Sequence, residues 1–262
     1  MRRSGPKVHP ARAILIALLI LIGSGTSAPR AGAQMKAAAG DRQVFIVHPS
    51  ITGMTADGVI ARMTEHNRLR EARLRQYAGP RTYQIRSEKG KVLAEARVLL
   101  QYQAPSHKEF KTISETGSGL IRNRVFKPLM ESEVATAAGR NRHDSSISPD
   151  NYNFELLGEE DIDGHHCFAV QASPKRNDKY LFRAKIWIHA TDYAVVRIAG
   201  QPAQNPSMWI KRVDFVRRYQ KVGDFWLPLR DESVSQVRMF GKNTLTIDYD
   251  RYEIGQAAGA GR

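Results

Sequence analysis

From Tyr152 onward the chain alternates short β-branched and aromatic runs with turns of a few residues, and no other feature restricts its fold as tightly. Tyr152–Glu159 and His165–Ser173 flank the turn Asp161-Ile162-Asp163-Gly164. Lys179–His189 and Tyr193–Gly200 flank Ala190-Thr191-Asp192. Ser207–Lys221 and Asp224–Arg238 flank Val222-Gly223, and Asn243–Ile254 closes the series. Upstream, Arg81–Ser87 and Lys91–Ala104 flank Lys89-Gly90, and Lys108–Glu115 follows the turn at Ala104-Pro105-Ser106. Runs bounded in this way read as strands. Connections this short can join only antiparallel neighbours, so the pattern predicts one antiparallel meander of ten to eleven strands.

Alternation within the strands separates two faces, because successive side chains point to opposite sides. Phe168 and Val170 share a side, as do Phe182, Ala184, Ile186 and Ile188. Val213 pairs in this sense with Phe215, and Leu245 with Ile247 and Tyr249. The opposite rows carry Arg183, Lys185, Arg212, Asp214, Thr244, Thr246 and Asp248, which predicts one apolar and one wet face. Two helical segments are available to cover the apolar face. Thr55–Tyr77 places Val59, Ile60, Met63, Leu74 and Tyr77 on one stripe, interrupted by Asn67 and Arg70, and Gly79-Pro80 is expected to end it. The second runs from about Gly119 to Ala138, with apolar residues around much of its circumference and Pro128 marking a kink or a start. The fold class is therefore α+β: a curved antiparallel sheet, an incomplete barrel, with covering helices on its apolar face.

The N-terminus has a different character. Arg2, Arg3, Lys7 and Arg12 precede the apolar run Ala13–Ile22, and Ala31-Gly32-Ala33 follows as a small-residue site. That order reads as a signal peptide over 1–33, cleaved near Ala33, which places the remainder in the periplasm. Ten apolar residues fall well short of the roughly 20 that span a bilayer. Five of the 40 basic residues lie in that leader, which leaves 35 against 26 acidic ones, a net charge of +9. Residues 34–54 read as a flexible arm, 55–254 as a single domain and 255–262 as a disordered tail. Cys167 is the only cysteine, so no intrachain disulfide can form.

Motifs that could carry chemistry resolve into structural features. His165 and Cys167 fall on one face of their strand and His166 on the other, which leaves too few ligands for zinc. Asp161-Ile162-Asp163-Gly164 lacks the ligand spacing of a calcium loop. Gly117-Ser118-Gly119 is not a nucleophile elbow. His143-Asp144-Ser145 are neighbours in a polar loop, whereas triads are assembled from distant segments. Arg68, Arg70, Arg73, Arg75, Arg217 and Arg218 read as solvated. The expectation is a protein that is not an enzyme, with no cofactor, no metal and no nucleic-acid partner.

The run Ile186-Trp187-Ile188-His189-Ala190-Thr191-Asp192-Tyr193-Ala194-Val195-Val196-Arg197-Ile198 resembles the strand–turn–strand signature of outer-membrane lipoprotein-sorting proteins, the LolA/LolB-like family. Gly223-Asp224-Phe225-Trp226-Leu227-Pro228 and the Gly164–Val170 hairpin are similar to the same family, and the resemblance extends from about Thr55 to Ile254. It implies a strongly curved antiparallel sheet wrapped around covering helices. It also implies a soluble periplasmic carrier that shelters acyl chains of lipids or lipoproteins, with transient contact with the membrane surface and with envelope proteins. The mid-chain position of Cys167 excludes the acylated receptor type. The family's functional arginine falls at Arg81 or Arg86. Under this resemblance Phe168, Val170, Ile186, Ile188, Val213, Phe215, Leu245 and Ile247 line an acyl cavity; the alternative is a packed core. The corresponding alternative in function is a periplasmic sensor or interaction module of the same fold.

Overall fold

The computed structural model describes residues 53–137, 142–205, 210–237 and 241–255. The leader 1–33, most of the 34–54 arm and all but Gly255 of the tail lie outside the described residues, as do the first residues of the Ser207 strand and Arg238. No helix among the described residues is long and apolar enough to cross a membrane.

Three strands follow the first helix: β1 (Gln76–Ser87), β2 (Val92–Gln103) and β3 (His107–Gly117). A helical segment intervenes, and then β4 (Tyr152–Ile162), β5 (His165–Pro174), β6 (Phe182–His189), β7 (Val195–Pro202), β8 (Ile210–Val222), β9 (Phe225–Val237), β10 (Gly241–Tyr249) and the short β11 (Glu253–Gly255) complete the chain. The order across the sheet is β3-β2-β1-β10-β9-β8-β7-β6-β5-β4, with β11 beside the start of β1. Among the described residues every pairing is antiparallel, and six register shifts interrupt five of the ladders, among them those at Ile85/Arg86, Leu156/Gly158 and Arg218/Tyr219. Bulges of this kind bend a sheet and deepen its twist. The sheet stays open: β3 and β4 are its two edges, and the helical segment between them spans the gap in sequence.

The first helix, α1 (Ala56–Arg73), begins at Thr55, whose Oγ1 accepts the Gly58 N–H at 3.1 Å. Asp57 in its first turn and Arg70 and Arg73 in its last complement the helix dipole. Its last residue is Arg73, capped by Leu74, four residues short of the expected end at Tyr77, and Tyr77, Gly79 and Pro80 belong to β1. The reason lies in the ladder. Pro80 lacks an N–H and falls at the break between the β10 and β11 pairings of β1, where no donor is required. At Gly79 the carbonyl of Arg251 passes so close that a Cβ would sit 2.1 Å from its oxygen.

The second covering segment is composite. α2 (Gly119–Ile121) leads into a π-helical turn (Arg122–Phe126), and α3 (Lys127–Ala137) follows without a break, with Pro128, which cannot donate to the preceding turn, at the junction. A short α4 (Arg142–Ser145) turns the chain toward β4 within what reads in sequence as loop.

The two faces are less simply apolar and wet than alternation predicts. The concave face carries two apolar clusters, each topped by a helix. The outer face also carries a small one: Ile162, Cys167, Ala169, Trp187 and Val196, with Trp226 against it. Glu160 serves that outer cluster by accepting the Trp187 indole N–H at 2.8 Å and pairing with Lys185.

Candidate functional site

The eight sequence-derived candidates all project into the concave side and all are buried, none more than 8% exposed. They do not form one surface. Phe168, Val170, Ile186, Ile188 and Phe215 share a cluster with Val59, Ile60 and Met63 of α1. Leu245 and Ile247 belong to a second cluster, with Tyr83, Ala96 and Val98 beneath Val125, Phe126 and Leu129 of the helical segment. Val213 joins Ile210 in a third, small group.

The register explains the first grouping. Phe168 stands opposite Ile188 and Val170 opposite Ile186, so four large side chains meet across one pair of strands. Tyr152, Phe182 and Phe215 continue the floor through ring contacts of 5.0 and 5.8 Å. Tyr193 stacks on Phe168 and receives Arg62 of α1 at its hydroxyl. Arg70 is not solvated: its guanidinium donates to the carbonyls of Asp192 and Tyr193 and to Asn67, fastening α1 to the β6–β7 turn.

Between the two main clusters runs a belt of charge that alternation in sequence does not announce. Arg217 of β8 and Asp231 of β9 face each other in register, and both carboxylate oxygens of Asp231 are bonded by the guanidinium. Arg217 is thus an interior residue, a correction to its expected solvation; Arg218 lies on the other parity. Tyr249 of β10 donates its hydroxyl to Asp231 at 2.8 Å, and the Arg81 guanidinium carbon of β1 lies 4.4 Å from the Tyr249 ring centre. Arg81 then donates to Glu133 of α3 at 2.8 Å, and Lys108 of β3 donates to the other carboxylate oxygen at 2.7 Å. Three cations and two carboxylates leave the belt formally at +1.

Burial would raise the Glu133 carboxyl, but Arg81 and Lys108 outweigh it and hold the group well below the usual carboxylate range. Burial likewise disfavours the charged Lys108, and Glu133 more than offsets it, so the ammonium is held raised. Burial pushes the phenol of Tyr219, which faces Arg217, up to about 12. The Nε of Arg81 is buried without an acceptor among the described residues. Of the two arginines the resemblance singles out, Arg81 is the one inside the sheet. Arg86 is exposed on the outer face, where it donates to Gln84 and to the Gly90 carbonyl.

That outer face holds a polar groove of about 430 Å³, lined in part by Arg86, Arg230, Glu232, Lys242 and Asp248. None of the eight candidates reaches it, and its charges are internally matched, Arg230 pairing with Asp248 and Glu232. Among the described residues no group of histidine, cysteine and carboxylate side chains could hold a metal ion.

Comparison with known proteins gives the following. A family profile described as an uncharacterized protein matches residues 140–255. No curated protein matches the sequence. Among solved structures, a DUF1329 family protein from Desulfovibrio piger is 15% identical and superposes with a TM-score of 0.41, covering 78% of this chain and 95% of that one. A domain described as that of an outer membrane lipoprotein-sorting protein from Vibrio parahaemolyticus is 11% identical, with a TM-score of 0.38 over 76% of this chain and 93% of the other. A LolA superfamily protein from Nitrosomonas europaea is 10% identical, with a TM-score of 0.38 over 78% and 96%.

Proposed function

We propose that the chain is an exported, periplasmic carrier of lipid or lipoprotein acyl chains, acting in outer-membrane lipoprotein sorting, and that it shelters those chains between the concave face of the sheet and its covering helices. The observation that supports this reading is the thinness of the cover. Only Leu129 of α3 is fully buried, and α1 buries Val59, Ile60 and Met63. Beneath them lie extended rows of apolar side chains on a rigid, hydrogen-bonded sheet. Elements with few buried apolar contacts open at lower free energy than the sheet that carries them. Each methylene moved out of water contributes about 0.8 kcal/mol, so a chain of roughly 16 carbons gains on the order of 10 kcal/mol from such shelter. Phe168, Val170, Ile186, Ile188 and Phe215 would line the compartment beneath α1, with Leu245 and Ile247 beneath α3 and Val213 between. The net positive charge of the chain beyond the leader suits transient contact with anionic membrane surfaces.

Native mass spectrometry of the protein recovered from cell envelopes tests the reading, together with titration of the pure protein with a fluorescent fatty acid. A co-purifying acyl species and saturable binding are expected. Absence of both removes carriage. The second reading, a sensor or interaction module of the same fold without cargo, draws on the burial of all eight candidates in this structure. It expects a stable envelope protein partner and no lipid.

A further inference from the structure

We propose that Arg81 and Lys108 form a seat for the anionic head of an amphiphile, and that the carboxylate of Glu133 occupies this seat when no ligand is bound. The inference rests on the acyl-carriage reading and narrows it to ligands with a negatively charged head. Both cations belong to the sheet, on β1 and β3, and their side chains are only 3% and 4% exposed. Buried cations require a counter-charge, since an unpaired one is strongly destabilising. The sheet does not provide it at this point; a covering helix does, through one side chain that is still 28% exposed. The seat therefore lies at the boundary between core and solvent, where an incoming anion can reach it.

Two further observations point to an exchangeable anion. The Nε–H of Arg81 is buried with no acceptor among the described residues, so the guanidinium has a donor beyond the one that Glu133 takes. A carboxylate or phosphate presented along the Nε–Nη2 edge, beside the Nη1 that Glu133 takes, could accept from both nitrogens of that edge, as planar Arg–oxyanion pairing favours. The belt's formal charge of +1 also leaves the interior biased toward an added negative group.

The location connects head to tail. Glu133 and the buried Leu129 lie one turn apart on α3, on the same side of the helix. Directly beneath Leu129 is the apolar cluster of Tyr83, Val98, Leu245 and Ile247. Replacement of the Glu133 carboxylate by that of a ligand releases the polar anchor of α3. The tail of the same ligand then takes the place of Leu129 over the cluster. The π-helical turn Arg122–Phe126 stays fixed by its buried Val125 and Phe126, and gives α3 a point about which to move. A neutral head has nothing to offer the two cations and leaves Glu133 in position.

Calorimetric titration of the full chain with dodecanoate, dodecyl phosphate and dodecanol at constant pH and salt tests the proposal. The tail is the same in all three, so only the head varies. Dodecanoate or dodecyl phosphate is expected to bind at least about tenfold more tightly than dodecanol, the worth of one charge-assisted hydrogen bond. The tighter of the two anions identifies the source as a fatty acid or a phosphate-headed lipid. Glu133→Gln removes the competitor and should strengthen dodecanoate binding while leaving dodecanol unchanged. Lys108→Met should weaken the anions alone. Equal affinity for acid and alcohol in the parent protein overturns the seat, makes Arg81–Glu133–Lys108 a structural ion cluster only, and leaves acyl carriage standing. Binding of none of the three overturns acyl carriage and the seat together. Because the head comparison uses the unmodified protein, it decides the matter even if a variant fails to fold.

Discussion

Arg217 and Asp231 stand directly opposite one another across β8 and β9 and close a doubly bonded ion pair inside the concave face, with the Tyr249 hydroxyl on the same carboxylate. On one side of Asp231, in register across the ladder to β10, is Ile247; two pairs further along β8, on the same face, is Phe215, opposite Ser233. The pair thus marks the seam between the apolar compartment under α1 and the one under α3. A sheet this wide has a choice between one continuous greasy surface and two separated ones, and these two residues make it two.

Removing the charge of Asp231 alone should be far costlier than removing the pair. Asp231→Asn leaves a buried guanidinium without a counter-charge, and a loss of about 3–5 kcal/mol is expected. Arg217→Met combined with Asp231→Leu should lose clearly less, since no charge is left stranded. Urea denaturation followed by circular dichroism measures both. A single variant within about 1 kcal/mol of the parent would mean that the pair is solvated in solution.

Cys167 should behave as an inert core thiol. It is buried in the outer-face cluster, burial pushes its pKa up to about 12, and its thiol is directed at the His165 carbonyl. The thiolate is the reactive form, so alkylation by iodoacetamide at pH 8 should be negligible under native conditions and rapid in denaturant. Stoichiometric labelling of the folded protein, read by intact mass, would contradict this placement.

What the sequence revealed, and what it concealed, divides along local and long-range lines. The hairpins at Asp163-Gly164 and Val222-Gly223 are set by their own turn residues, and Asp163, Gly164 and Gly223 indeed adopt positive φ. The pairing of β1 with β10 joins segments more than 150 residues apart, and no local pattern encodes it. Arg217 shows the conflict within a single residue. Its charge argues for solvent, its parity with Phe215 argues for the interior, and Asp231, brought opposite by the turn at 222–223, decides for the interior. The candidates of β5 and β6 fall together because adjacent hairpins align them. Leu245 and Ile247 fall elsewhere because the curvature of the sheet and the intervening belt separate them. Glu133 carried no sequence signal at all: it reaches Arg81 across 52 residues, from a helix whose apolar pattern suggested burial on several sides.

His166 and His189 should titrate in opposite directions. Hydrogen bonds donated by the His166 ring to the Asp161 and Glu159 carboxylates raise its pKa, whereas burial lowers that of His189. The contribution of His166 to stability is present below the ordinary value of 6.5 and is lost as pH rises through its raised folded value. His189 contributes in the reverse sense: stability is present above 6.5 and is lost as pH falls through its lowered value. Two-dimensional NMR of the imidazole C–H signals across pH 4.5–8.5 should show one midpoint above the reference and one below. Coincident midpoints would remove the Asp161–His166–Glu159 bridge from the solution structure.

Ile186 offers the sharpest division between a carrier and a closed core. It is fully buried, faces Val170 and Ile198 across its two ladders, and sits in the cluster beneath α1. If acyl chains enter that compartment, Ile186→Trp fills it in advance. Fatty-acid binding should fall by an order of magnitude or more, while stability drops by only about 1–3 kcal/mol because α1 can yield to the larger ring. Ile186→Glu should abolish binding and destabilise more severely, since it buries a carboxylate among apolar side chains, and its strand neighbours Arg183 and Lys185 point to the other face. A core that never opens behaves differently under the same pair of substitutions. The parent protein then binds no fatty acid, and the bulky ring, with no space to claim, destabilises nearly as much as the charge. Fluorescence titration and thermal melts of the three proteins, measured side by side, separate the two outcomes.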